Sequence, residues 1–156
     1  MWRMKHFLLM IAVVMGQSVL AADKKPLIAN PIVEKAIRND LKKSTSELTK
    51  ADLEKVTFLV LNKNRLTDIS ALAELTQLKR LQLSNNQLTD VNALAGLNQL
   101  KYLALNDNQL TDIRPLAELT KLKWLYLNRN PDLTKAQIDE LKKALPKCKI
   151  VSNPKK

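Results

Sequence analysis

Apolar residues along this chain fall on a fixed grid. Leu59, Leu81, Leu103 and Leu125 stand 22 residues apart, as do Leu61, Leu83, Leu105 and Leu127. Two further files follow, Leu72, Leu94 and Leu116, then Leu75, Leu97 and Leu119. Polar positions keep the same spacing: Asn64, Asn86, Asn108 and Asn130 form one file, and Asp68, Asp90 and Asp112 another. A fixed period in this range marks a solenoid, whose units bury their apolar faces only by stacking on their neighbours. Within a unit, Leu81 and Leu83 alternate with Arg80, Gln82 and Ser84. That two-residue period predicts a strand with leucines inward and polar residues outward. The repeated asparagine falls where the chain must turn after the strand. A buried amide both donates and accepts, so it can satisfy turn backbone groups that have no ladder partner. Asn64, Asn86, Asn108 and Asn130 are therefore assigned a structural role.

The flanks depart from the grid and read as caps, which a solenoid requires at its open ends. Asn30-Pro31 signals a helix start, with Asn as N-cap and Pro at the first helical position. Ile32, Val33, Ala36, Ile37 and Leu41 give that helix an apolar stripe to lay over the first repeat. Thr49 with Asp52 predicts a capped turn leading into Val56. At the other end Pro131-Asp132-Leu133 shifts the expected leucine by one. Thr134 with Gln137 then forms a capping box before Ile138, Leu141 and Leu145. Pro146 ends that helix, and Cys148 to Ser152 is expected to be a last strand. The predicted organisation is a signal segment at 1–21, a mobile lead-in at 22–29, and a helical cap at 30–55. Repeats follow at 56–130, a helix-strand cap at 131–152, and a tail at 153–156.

The segments LKRLQLSNNQLTDVNALAGL and LKYLALNDNQLTDIRPLAEL resemble the leucine-rich repeat family, specifically its 22-residue internalin-like bacterial class. The resemblance covers most of the chain after about residue 44. It implies an α/β leucine-rich repeat solenoid with a short parallel sheet on its concave side, and it implies stacked Asn86 and Asn108 forming the family's ladder. It supplies no ligand, because the family is mostly one of binding scaffolds.

Composition changes this picture in three ways. Arg3 and Lys5, the apolar run Phe7 to Met15, and Val19-Leu20-Ala21 have the order of a secretory signal with its cleavage site. The apolar run is shorter than the roughly 20 residues of a membrane helix. No cysteine follows it to carry a lipid, so an exported protein is expected, periplasmic, envelope-bound or extracellular. Cleavage would remove His6, the only histidine, which excludes histidine-based triads and His/Cys zinc sites. Cys148, the only cysteine, is expected as a small buried apolar group in the last strand, with pairing between molecules the alternative. Finally, residues 123–156 carry nine basic and three acidic side chains, whereas residues 56–122 are nearly balanced at seven and six. A basic end can attract anionic surfaces, though charge runs more often serve solubility.

No nucleophile has an adjacent base and no Gly-rich phosphate loop is present, so an enzyme is not expected, nor any cofactor or metal. Asp68, Asp90 and Asp112 are read as caps of the convex segments, since one acid per turn is sparse for calcium. The aromatics beyond the signal segment are Phe58, Tyr102, Trp124 and Tyr126, all at outward strand positions. With Arg80, and with Arg129 on the flank, they form the candidate ligand-binding face, because clustered Tyr, Trp and Arg are typical of binding hot spots. Tyr102 and Trp124 should be direct neighbours, with Arg80 in cation–π reach of Tyr102. A protein or peptide is the expected partner. An envelope glycan or anionic lipid is the alternative, a structural place in an exported assembly is a third reading, and nucleic acid is not expected.

Overall fold

A computed structural model describes residues 26–153. The predicted signal segment and its cleavage site lie outside the described residues. Five three-residue strands, β1 (Phe58–Val60), β2 (Arg80–Gln82), β3 (Tyr102–Ala104), β4 (Trp124–Tyr126) and β5 (Lys149–Val151), form one parallel sheet in sequence order. The register follows the repeat: Leu59 faces Leu81, Leu81 faces Leu103, Leu103 faces Leu125, and Leu125 faces Ile150. Each regular strand returns through a convex 3-10 turn, at Ser70–Glu74, Asn92–Leu94 and Arg114–Glu118. One core runs the length of the stack. Leu81, Leu83, Leu103, Leu105 and Leu125 are fully buried in it.

The expected leucine alternation holds because a 22-residue period brings identical side chains into register on parallel neighbours, so each inward leucine meets another. Asp68, Asp90 and Asp112 accept from the backbone N–H groups of Ser70, Asn92 and Arg114 at 2.8, 3.0 and 2.9 Å. Each aspartate thereby holds the start of its convex turn. The Arg114 guanidinium, bonded to the same carboxylate, keeps Asp112 down at about 2.

At one end, α1 (Pro31–Asp40) begins at Asn30, whose side chain accepts from Ile32 N and Val33 N. It buries Val33 and Ile37, with Ile32, Ala36 and Leu41 packed beside them. Thr49 and Asp52 close a capping box on α2 (Lys50–Leu53). The Asp52 carboxylate also accepts from Lys43 Nζ at 2.6 Å. Residues 26–29 differ from the mobile lead-in expected of them, since Ile28 is 2% exposed and belongs to the core. An isoleucine three residues ahead of α1 is pulled in by the apolar area it covers.

At the other end, α3 (Lys135–Ala144) starts from the Thr134–Gln137 capping box and buries Ile138 and Leu141. Gln137 donates from Nε2 to Thr111 O at 2.8 Å, tying the helix to the third repeat. Cys148 corrects its expectation in two respects. It precedes β5 rather than lying in it, and it is half-buried against the core. That partial burial pushes its thiol up to about 11.

Candidate binding face

The turns that follow the strands fix how the sheet presents its concave side. Asn86, Asn108 and Asn130 are buried. Each donates from Nδ2 to carbonyls of its own and the preceding repeat: Asn86 to Leu83 O and Leu61 O, both at 2.9 Å. Asn108 does the same to Leu105 O and Leu83 O, and Asn130 to Leu127 O and Leu105 O. Their Oδ1 atoms accept from Leu66 N, Leu88 N and Leu110 N. The ladder thus runs through backbone groups, and among the described residues no side-chain amide of the file bonds to another. Asn64, with no repeat before it, is half-buried; its Nδ2 donates to Asn62 O, and its backbone N–H to Asn86 Oδ1.

A second polar file was not anticipated. Asn62 Oδ1 accepts from Ser84 N at 2.8 Å, and Asn106 Oδ1 from Asn128 N at 3.0 Å. Between these two files lie Lys63, Asn85, Asp107 and Arg129, all in the left-handed region with φ between 55° and 61°. Asn and Asp enter that region readily, whereas Lys63 and Arg129 do so only because both flanking turns are pinned.

On the concave side the sheet carries two outward rows. The first reads Phe58, Arg80, Tyr102, Trp124, Lys149 across the five strands. Three rings and two cations share it, and each cation lies against a ring. The Arg80 guanidinium lies 5.6 Å from the Phe58 ring centre and 5.2 Å from that of Tyr102, and Lys149 Nζ lies 5.1 Å from that of Trp124. All three are within cation–π range. The second row reads Val60, Gln82, Ala104, Tyr126, Val151. Tyr102 and Trp124 are register neighbours, but the ring contact of Tyr102 is with Tyr126, at 5.5 Å and 45°. Ala104 sits beside that diagonal, and its single methyl leaves the two rings room to meet. Trp124 remains 42% exposed and Phe58 38%.

An open depression of about 560 Å³ lies over this sheet face, lined by Arg80, Tyr102, Trp124 and Tyr126 together with Lys79, Lys101 and Lys123. Phe58 lies next to it through Arg80 rather than in its wall. Arg129 does not join the cluster. It stands in the turn beyond β4, its guanidinium 3.1 Å from the Asp107 carboxylate and its N–H on Asn153 Oδ1. The left-handed backbone there turns the residue away from the strand row. The lysine file and Lys149 went unread in the sequence, although Lys79, Lys101 and Lys123 keep the 22-residue spacing.

Among the described residues no three His, Cys, Asp or Glu side chains gather to hold a metal. Nor is any helix among them long and apolar enough to cross a membrane. The arrangement offers exposed rings, cations and a shaped hollow, which suit recognition.

Comparison with known proteins agrees with this architecture. The model of the family described as "Leucine Rich repeats (2 copies)" matches residues 54–96. No curated protein matches the sequence. Among solved structures, an internalin (InlF) from Listeria monocytogenes is similar over 88% of this chain and 48% of its own, at 27% identity and a TM-score of 0.65. The functional domain of InlJ from the same organism, which includes a cysteine ladder, is similar over 82% of this chain and 28% of its own. Its identity is 22% and its TM-score 0.68. A leucine-rich repeat protein of Leptospira interrogans is similar over 69% of this chain and 34% of its own, at 23% identity and a TM-score of 0.51. The last two likenesses concern the fold alone. The chain spans about half the length of the internalin it matches and less of the other two.

Proposed function

Because this chain is an internalin-like leucine-rich repeat protein, we propose that it is a non-catalytic binding module whose concave face holds a segment of a partner protein. One observation carries this reading. Three large aromatic side chains, Tyr102, Trp124 and Tyr126, line a hollow on the outward side of the sheet, where leucine packing gives them no structural task. Aromatic residues in such positions supply binding energy at low entropic cost. The reading includes Phe58 and Arg80 as the continuation of that row and leaves Arg129 at its margin. It also takes residues 1–21 as a signal for export, which an intact mass beginning at Ala22 or Asp23 would support and a mass including Met1 to Ala21 would refute.

The sheet limits what can be held. Five three-residue strands about 4.8 Å apart give a face of about 20 by 10 Å, about 200 Å², well short of a standard interface of about 800 Å² per partner. A peptide or protruding loop fits it better than a flat protein surface. The test begins with crosslinking of the tagged protein in its own cells to identify what is attached. Titration of that partner against Trp124→Ala then decides the site. A loss of about 2 kcal/mol or more with the fold intact supports it, and unchanged affinity moves the site elsewhere. An attached species that survives protease treatment would favour instead an envelope glycan or anionic lipid, the reading suggested by the basic residues at 123–156.

A further inference from the structure

Lys79, Lys101 and Lys123 occupy the same place in successive repeats, at the entrance to β2, β3 and β4. Their backbones are hydrogen-bonded in series, Lys101 N to Lys79 O at 2.8 Å and Lys123 N to Lys101 O at 2.9 Å. Three ammonium groups therefore project from neighbouring strands about 4.8 Å apart. Like charges side by side on a sheet repel, and nothing on this face offsets them. Neither outward row nor the lysine file holds a carboxylate, and the ion pairs at Glu34, Asp52, Asp107, Asp112 and Asp139 lie elsewhere. Arg80 and Lys149 add two more cations, each already against a ring. The repeats as a whole are nearly charge-balanced, so this is segregation of charge rather than a general excess: the repeated aspartates cap convex turns, and the repeated lysines line the concave hollow.

We propose that the concave face selects an acidic, extended protein segment, with Lys79, Lys101 and Lys123 taking carboxylates while the adjoining rings take apolar side chains set between them. This rests on the reading of that face as the binding surface. The lysine file spans about 10 Å, the reach of three or four extended residues. Two features favour a peptide over other polyanions. Phe58 and Val60 are 38% and 49% exposed at the β1 end of the face, offering apolar contact that a sulfated glycan or a phosphate backbone would leave unused. The hollow between the lysines and Tyr126 also suits a protruding chain and mismatches a flat lipid surface.

The probe is a random ten-residue peptide library displayed against the purified chain. Enriched peptides should carry net negative charge together with at least one aromatic or aliphatic residue. Their affinity should fall at least tenfold in Lys79→Glu/Lys101→Glu/Lys123→Glu, and several-fold between 0.15 and 1 M salt, where screening shortens from about 8 to 3 Å. Lys101→Gln, which removes only the central charge, should bind more weakly yet unfold at an equal or higher urea concentration, because a repulsion is relieved. Enrichment of neutral or basic peptides, or of none, overturns the proposal. So does a Lys101→Gln protein that unfolds earlier, and so does displacement of the enriched peptides by heparin or single-stranded DNA at lower charge concentration than by an acidic peptide. Peptides that lose affinity in Trp124→Ala but not in the triple variant would overturn the charge inference alone. Peptides indifferent to both variants would remove the face itself.

Discussion

Replacing Asn108 by alanine tests the backbone ladder more sharply than any leucine would. The side chain is 4% exposed. Its Nδ2 donates to Leu83 O at 3.0 Å, Leu105 O at 3.1 Å and Asn106 O at 3.3 Å, and its Oδ1 accepts from Leu88 N at 3.1 Å. Leu83 O and Leu105 O keep a second bond, from Asn86 Nδ2 and Asn130 Nδ2, so alanine takes one of two bonds from each carbonyl and leaves one buried N–H, that of Leu88, without a partner. An orphaned buried group costs about 1–3 kcal/mol and each lost bond about 0.5–1.5 kcal/mol, so the loss should be about 2–4 kcal/mol once partial entry of water is allowed for. Folded domains are stable by only about 5–15 kcal/mol, which makes this a large fraction of the total. Asn64→Ala, at the equivalent place in the first repeat, removes one half-exposed bond and should cost about 1 kcal/mol or less. Urea titration of the two variants gives the comparison through their midpoints. Equal losses at Asn64 and Asn108 would refute the claim that the file works by bonding backbone groups of the preceding repeat.

Leu105→Ala should cost about 2–5 kcal/mol by lost burial and a residual cavity, whereas exposed Gln87→Ala should stay within about 0.5 kcal/mol; the same titration reads both. The Lys43 ammonium and then the Thr49 N–H and hydroxyl hold the Asp52 carboxyl below its ordinary 3.8. Its contribution is therefore complete above pH 3.8 and is lost as pH falls below that value, so Asp52→Asn should show a shallower acid limb in pH-dependent unfolding. Burial raises the Cys148 thiol to about 11, so alkylation by iodoacetamide should be slow at pH 8 and accelerate through pH 10–11; a rate like that of a free thiol at pH 8 would contradict its packing against the core.

The repeats were legible because the inward leucines of the first four strands face one another, which leaves little freedom for other residue types. The caps were legible through short-range chemistry, Asn30-Pro31, Thr49 with Asp52, and Thr134 with Gln137, where side chain and backbone partner lie within three residues. Features that depend on three-dimensional closure were not. The left-handed file of Lys63, Asn85, Asp107 and Arg129 has no common residue type, since the pinned turns rather than side-chain preference hold it there. Of the file of Asn62, Ser84 and Asn106 only Ser84 was read, as an outward residue, because the file's bonds join residues 22 apart. Strand alternation gave the row of Phe58, Arg80, Tyr102 and Trp124. It hid the lysines just ahead of the strands, where the period of two does not yet apply, and it could not foresee Tyr102 turning diagonally to Tyr126 past Ala104.

The account turns on the concave side of the sheet being the surface that recognises a partner. Amide and indole chemical-shift mapping of the isotope-labelled chain, titrated with an enriched peptide or the crosslinked partner segment, tests that directly. The expected result is perturbation of the Trp124 indole N–H and of the amides at 79–82, 101–104 and 123–126. Perturbation confined to the convex turns at 70–74, 92–94 and 114–118, or to α3, would contradict it.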